Sequence, residues 1–364
     1  MKCSSYATHE VECAVAESLR LLGGIEQFVK PGESVLLKPN LLTDALPEAC
    51  IDTHPEVVRA VIRQLKAVAG KIYCGDSPSA VGQKRDIAHV YEVSGLKAVC
   101  DEEDVELVSF NTPKLKGVFP LTDWHGQCDK FISLPKLKTH GLTVMTAAVK
   151  NLFGLIVGMH KVKLHRDSLR PFDFAKTLLD IYELAKPDLS LIDAVVGLEG
   201  EGPGSTGTKR SFGFIAGSSD AVALDTVLAK ILGLLPEFVP TNREAYRRGL
   251  GSPDLGMIEV LGEKLEYLTV HDLKLPTSSV LSKVPDWLFG ILKILLNFKP
   301  QMIDAKCKRC GYCKNICPAG AIYQEGGFFK INYNKCILCL CCQEACPHAA
   351  IQVKKSFLMR FKGM

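Results

Sequence analysis

The chain has 364 residues, 47% hydrophobic and 23% charged, with a formal net charge of +4 and a mean hydropathy of +0.12. That length allows two domains and a sizeable core, and the hydropathy suits a compact soluble protein. The longest apolar run, "WLFGILKILLNF" at residues 287–298, is shorter than the ~18 residues of a membrane span and is broken by Lys293, so no transmembrane segment is expected.

The N-terminal "MKCSSYATHEVEC" carries two acidic residues and no apolar h-region, which predicts no signal peptide and a cytoplasmic protein. Fifteen cysteines, an odd number without an export signal, argue against a disulfide framework. From there to residue 275 helical and strand signals alternate. "ECAVAESLRLLGGIEQF" has helical periodicity, "SVLLKPN" is a short apolar strand, and "PEVVRAVIRQLKAVA" is helical again. "KIYCGDSPS" and "KFISLPKLKTH" each read as a strand running into polar residues. "FAKTLLDIYELAK" is helical, "PDLSLIDAVVGLEGEGPG" is a strand entering a glycine loop, and "SFGFIAGSSDAVALDTVLAKILG" is strand, cap and helix. The alternation predicts an α/β domain over residues 1–275, a mostly parallel sheet with flanking helices.

Polar residues recur where these strands end: Lys38 and Asn40, Asp76 and Ser77, Lys136, Lys138 and His140, Asp193 and then Glu199. In open α/β sheets ligands bind beyond the carboxyl ends of strands, so these ends converge on one rim. The apolar stretch "LPKLKTHGLTVMTAAVKNLFG", residues 134–154, then carries Lys136, Lys138, His140 and Lys150 because they line a cleft rather than lie in oil. Lys38, Asn40, Lys136, Lys138 and Lys150 are the candidate binding residues for an anionic small molecule or further cofactor, and His140 and Asp76 the candidate proton carriers. For each residue alone, solvent snorkelling, turn formation or a structural hydrogen bond is the competing reading. "GLEGEGPGSTGTK" lacks the G-x-x-x-x-G-K-[ST] phosphate loop and precedes a strand. His140, His160 and His165 match no helix-face metal pair. No interleaving of basic and aromatic residues suggests nucleic acid.

"KLPTSSVLSKVPDW" opens a linker, residues 276–300, whose apolar "DWLFGILKILLNF" is read as a helix packed across the domain boundary. It and the terminal "KKSFLMRFKGM" would also suit contact with a partner or a membrane surface. Charge shifts here: residues 283–364 hold 13 basic and 4 acidic residues, a net +9, against 31 basic and 36 acidic, a net −5, before them.

Nine cysteines crowd into residues 307–346. "CKRCGYCKNICP" and "CILCLCCQEACP" are both C-x2-C-x2-C-x3-C-P, and they begin 29 residues apart, an internal duplication. Three thiolates of a tight loop meet three corners of an iron–sulfur cubane, and the fourth ligand comes from the other run. Cys307, Cys310, Cys313 and Cys346 are therefore expected on one [4Fe–4S] cluster, and Cys336, Cys339, Cys342 and Cys317 on the other. Structural zinc would use separated CxxC pairs. Cys341 is left over and read as packed. "AIYQEGGFFKI" between the runs reads as strand, Gly-Gly turn, strand. Residues 301–364 thus form a small α+β two-cluster domain that resembles bacterial two-cluster ferredoxins over residues 301–352. Each oxidised cluster with its thiolates carries roughly 2−, which offsets part of the local lysine excess.

"VLLKPNLL", "GDSP", "LPKLKTHGLTVMTAAVKNLFG" and "LIDAVVGLEGEGP" resemble the DUF362 family, often fused to such a tail. The resemblance implies an iron–sulfur protein and assigns no reaction. A more distant similarity of fold, to the nickel-pincer lactate racemase, lacks that enzyme's histidine-rich motif here. The leading expectation is an electron-transfer protein or oxidoreductase of a reducing, anaerobic cytoplasm, working with a redox partner protein. The alternatives are a non-enzymatic carrier or assembly factor that docks a partner, and an isomerase with ancillary clusters.

Overall fold

The structure, a computed structural model, describes residues 1–78, 86–283 and 299–354. The apolar stretch of the expected linker helix and the terminal "KKSFLMRFKGM" lie outside the described residues, apart from the latter's first lysine.

In chain order the α/β part contains α1 (Thr8–Leu21), β1 (Ser34–Pro39), α2 (Pro55–Leu65), β2 (Lys71–Cys74), α3 (Ile87–Val93), α4 (Leu96–Glu102) and β3 (Glu106–Leu107). A small hairpin, β4 (Pro113–Lys116) and β5 (Phe119–Thr122), leads into β6 (Lys130–Leu134), β7 (Lys136–His140) and β8 (Val144–Thr146). Then come α5 (Ala148–Asn151), α6 (His160–Asp167), α7 (Pro171–Leu184), β9 (Leu189–Gly200), β10 (Gly207–Ser218), α8 (Ala221–Ile231) and α9 (Pro240–Arg247).

β3, β2, β1, β6 and β9 lie side by side and parallel. β6 and β7 are two stretches of nearly continuous chain broken at Pro135, and both run parallel to β9. Past that break β7 takes β8 as an antiparallel neighbour, and β10 returns antiparallel along the other edge of β9. The sheet is thus mostly parallel, with antiparallel strands added at one side. Alternating side chains face opposite layers. Val35 and Leu37 of β1 pack with α1, α2 and α4, while Leu36 packs with α7 and α8 on the other face. Two buried faces require the near-continuous apolar runs seen in the sequence. Local chemistry starts the helices where expected: Asp220 accepts N–H bonds from Val222 (2.8 Å) and Ala223 (3.0 Å) ahead of α8.

The tail contains β11 (Lys299–Met302), β12 (Ile322–Glu325), β13 (Phe328–Ile331) and β14 (Ile351–Lys354), with short helices Tyr312–Ile316 and Cys341–Glu344. β11 pairs with β14 and β12 with β13, all antiparallel. A shift of 29 residues superposes β11 on β13 and β12 on β14, so the duplication in sequence is a duplication in structure. Gly326 and Gly327, at φ +57° and +78°, make the tight turn between β12 and β13.

Candidate functional site

The carboxyl ends of β1, β2 and β7, with α5 beside them, gather most of the expected residues. Lys38 lies 2.9 Å from Asp76 Oδ1, with both side chains buried. Its ammonium also donates to Asn151 Oδ1 (3.2 Å). Asn40 donates to the same Asn151 oxygen (3.2 Å), and its own oxygen accepts from Lys138 (2.7 Å), which also donates to Ile51 O (2.6 Å). Burial pushes the Lys38 and Lys138 ammonium groups below the usual lysine range, opposed by Asp76 and Asp52 respectively. These lysines are therefore deeper than an open cleft, and the protein itself supplies their acceptors. Asp76 accepts from Leu41 N (2.8 Å) and Ser77 N (2.7 Å) besides pairing with Lys38. A carboxylate so occupied buttresses Lys38.

Lys136 is not in this group. It donates to Asp193 Oδ2 (2.7 Å) and Tyr6 OH (2.7 Å), in a closed network where Tyr6 stacks on His54. Glu199 pairs with Arg210 at 2.9 Å.

His140 is fully buried. Its Nδ1 accepts from Leu142 N (3.0 Å) and Thr143 N (3.3 Å) in the turn after β7, so the neutral ring carries its proton on Nε2. Nε2 faces Glu344 Oε1 at 3.4 Å without hydrogen-bond alignment. Burial, then Lys150, His165 and Lys138, push His140 well below the ordinary histidine range. Glu344 comes from the tail, and its carboxyl is raised by burial against the pull of Lys150 and Lys138. Lys161 and His165 of α6 complete the surroundings. Both are buried, and both are lowered chiefly by burial, to about 7 and about 3. Lys161 and Glu344 carry no motif in the sequence, and His165 matches no metal pair there. A Lys161/His165 pair four apart on one face of a short helix was the only available signal.

The tail seats on this rim. The glycine loop between β9 and β10 is its dock: Ser205 Oγ donates to Cys346 O and accepts from Ala349 N (3.0 Å), and Gln343 donates to Thr206 Oγ1 (3.2 Å). Val162 of α6 packs with Ile316, Cys339, Cys341 and Ala345, so the leftover Cys341 is buried in the seam.

Cys307, Cys310, Cys313 and Cys346 line one pocket, and Cys317, Cys336, Cys339 and Cys342 line another. A cubane fills the space between its ligands, whereas one zinc ion draws four sulfurs to a point. The backbone also suits an anionic cluster. Arg309, Gly311 and Gly320 have φ of +57°, +83° and +56°, and their counterparts 29 residues on, Leu338, Leu340 and Ala349, have +58°, +60° and +49°. Left-handed residues alternating with right-handed ones turn successive N–H groups into a concavity that favours anions. Ala321 N donates to Cys317 Sγ (3.2 Å) and Ala350 N to Cys346 Sγ (3.3 Å), the same bond in each half.

Residues 35–230 match the family described as "Domain of unknown function (DUF362)", and residues 299–347 match "4Fe-4S dicluster domain". The chain belongs to the DUF362 family. Its DUF362 domain thus carries an iron–sulfur, ferredoxin-type tail. The thylakoid-associated protein sll1697 of Synechocystis sp. is 35% identical over 302 residues, 81% of this chain and 91% of that protein. Pyruvate synthase subunit PorD of Methanocaldococcus jannaschii is 38% identical over 62 residues, 17% of this chain and 63% of that subunit. Among solved structures, the lactate racemase apoprotein of Thermoanaerobacterium thermosaccharolyticum aligns with a TM-score of 0.42 at 12% identity, over 61% of this chain and 54% of that one. Among the described residues of this DUF362 protein, no helix is long and apolar enough to cross a membrane.

Proposed function

We propose that this protein passes electrons between a redox partner and an anionic small molecule or cofactor held at the strand ends of the DUF362 domain. Cys307, Cys310, Cys313 and Cys346 hold one [4Fe–4S] cluster, and Cys336, Cys339, Cys342 and Cys317 the other. The four-cysteine pockets and the paired left-handed loops support that assignment. Bound clusters supply one-electron redox chemistry over a wide range of potential.

One observation carries the reading. The helix Cys341–Glu344 bears Cys342 and, two residues on, sends Glu344 to His140 among the lysines. The second cluster's loop thus overlies the rim, with Leu340 Cδ1 3.9 Å from where a Cβ on Gly141 would lie. The first cluster's loop is the more exposed: Cys310 is exposed, Cys307 half-buried and Cys313 buried, whereas in the second loop Cys336 is half-buried and Cys339 and Cys342 are buried. Lys306, Lys308, Arg309 and Lys314 are exposed around that outer loop and suit an acidic partner surface. Within the rim, the positive field of Lys138 and Lys150 favours the anion, and His140 holds a proton at Nε2 on the side of Glu344.

Anaerobic preparation is expected to give about eight iron and eight acid-labile sulfide per chain. Cys310→Ser and Cys339→Ser are each expected to remove the electron paramagnetic resonance signal of one cluster. Colourless protein holding zinc and no sulfide would overturn the proposal. Slowed reduction of the remaining cluster by an acidic donor in Cys310→Ser, but not in Cys339→Ser, supports the outward order.

A further inference from the structure

α6 buries two ionisable side chains. A helix that covers a core normally turns aliphatic side chains inward. Here Val162 is buried against the tail, but Lys161 and His165 are buried beside it at 3% and 6% exposure while Leu164 is only half-buried. The residues on its other face, His160, Lys163, Arg166 and Asp167, are exposed. Burying an ammonium group is costly unless something pairs with it. Yet neither the buried Lys161 nor the half-buried Lys150 has a side-chain hydrogen-bond or ion-pair partner among the described residues. His165 Nδ1 is buried and likewise has no partner.

These groups share one place. The Lys150 ammonium lies 5.8 Å from the ring centres of both Phe153 and Phe174. His165 meets the same rings, at 4.4 Å and 31° to Phe174 and edge-on at 5.2 Å to Phe153. Lys161 is one turn before His165 on the same helix, within the field of Asp76, Lys38 and Lys150. Asp76 is already committed to Lys38 and two backbone N–H groups. Two ammonium groups and an unpartnered imidazole nitrogen, with Lys150 and His165 seated against two phenyl rings and the Glu344 carboxylate as the chief anion whose field reaches Lys150, are a donor set without a hydrogen-bonding acceptor among the described residues.

We propose that Lys150, Lys161 and His165 form an oxyanion-binding subsite, the part of the chamber that grips the carboxylate or phosphate of its ligand. The two lysines supply charge, and the His165 ring supplies a donor fixed in orientation by Phe153 and Phe174. The aromatic pair excludes water from one side, so the charge acts in a poorly screened setting. The subsite rests on geometry within the DUF362 domain and stands whether or not electrons reach the ligand.

The test is isothermal titration of the full-length, cluster-loaded protein at pH 6.5 with inorganic phosphate and, separately, with succinate. At least one probe is expected to bind, and whichever binds tighter tells a phosphate-bearing from a carboxylate ligand. Lys161→Met is expected to weaken that binding tenfold or more with the visible spectrum of the clusters unchanged. The exposed neighbour Lys163→Met, the same loss of charge on the same helix, is expected to leave affinity within twofold. Without ligand, Lys161→Met is expected to melt at a higher temperature than the wild type, since it removes an uncompensated charge. If Lys161→Met yields no folded protein, Lys150→Gln carries the same binding expectation. Binding of neither probe, equal loss in Lys161→Met and Lys163→Met, or wild-type affinity in the folded variants overturns the subsite. An absent cluster signal with intact anion binding would instead overturn the electron-transfer reading and leave the subsite standing.

Discussion

A Cβ on Gly154 would come within 2.3 Å of both Asp76 Oδ1 and Lys38 Nζ. The glycine is there so that the turn after α5 can close over a buried ion pair. Gly154→Ala is expected to lower stability by about 1–3 kcal/mol through overpacking. Asp76→Ala is expected to cost about 3–5 kcal/mol, because it leaves Lys38 charged and buried alone. Denaturant titration of both variants checks the order, and equal small losses would mean that the pair is not buried as described. Lys161 makes a pH prediction. Its folded value is about 7 against 10.5 for a free lysine. Between these values the unfolded chain binds a proton that the folded protein does not, so this group makes stability rise with pH by up to about 1.4 kcal/mol per unit. Below about pH 7 both states bind the proton, and that contribution levels off. The difference in stability between pH 7 and 9.5 is expected to shrink in Lys161→Met, and an unchanged difference would contradict the depressed value. Single residues like these are nearly invisible in sequence, because a buried lysine and a snorkelling one are spelled alike.

At the scale of elements, α5 is only four residues long and is held from outside. Asp225 of α8 accepts from Ala148 N (2.7 Å) and Val149 N (3.1 Å), so a distant helix caps the turn that carries Lys150 and Asn151. Asp225→Ala removes both acceptors. A loss of about 1–2 kcal/mol is expected, with faster amide exchange confined to the α5 turn. Exchange unchanged there would show that the cap does not hold α5. The strands and longer helices were legible because their apolar period is local, and the cap of α8 lies two residues from the N–H groups it satisfies. The cap of α5 comes from 77 positions away, and no window of sequence contains it. The tail shows the same limit. Its cysteine spacing announces two equivalent loops, and Gly311 suggests a left-handed turn. Leu338 and Leu340 adopt that backbone too, against their own preference, since the duplicated fold demands it.

Across the whole molecule, the contact between tail and α/β domain decides what the clusters can reach. Gly204 is pressed against the tail: a Cβ there would lie 2.8 Å from Glu344 O. Gly204→Ala is expected to unseat the helix Cys341–Glu344. Calorimetry of the variant should then resolve separate melting of tail and α/β domain, with the cluster spectra retained. One unchanged transition would show that the glycine loop is not the dock. That loop was read from sequence only as a failed phosphate motif, and its use became clear when Ser205 and Thr206 met Cys346 and Gln343. By itself the sequence determined the alternating α/β domain and the duplicated four-cysteine runs, and it pointed to polar residues at the strand ends. Those signals are periodicities and spacings within a few turns of chain. The tertiary structure alone decided that Lys136 is closed off by Tyr6 and Asp193, that Asp76 buttresses Lys38, and that Lys161, His165 and Glu344 lie around Lys150 and His140. Those choices depend on burial and on partners brought from far along the chain, where the energy of an unpaired charge takes its value from the fold around it.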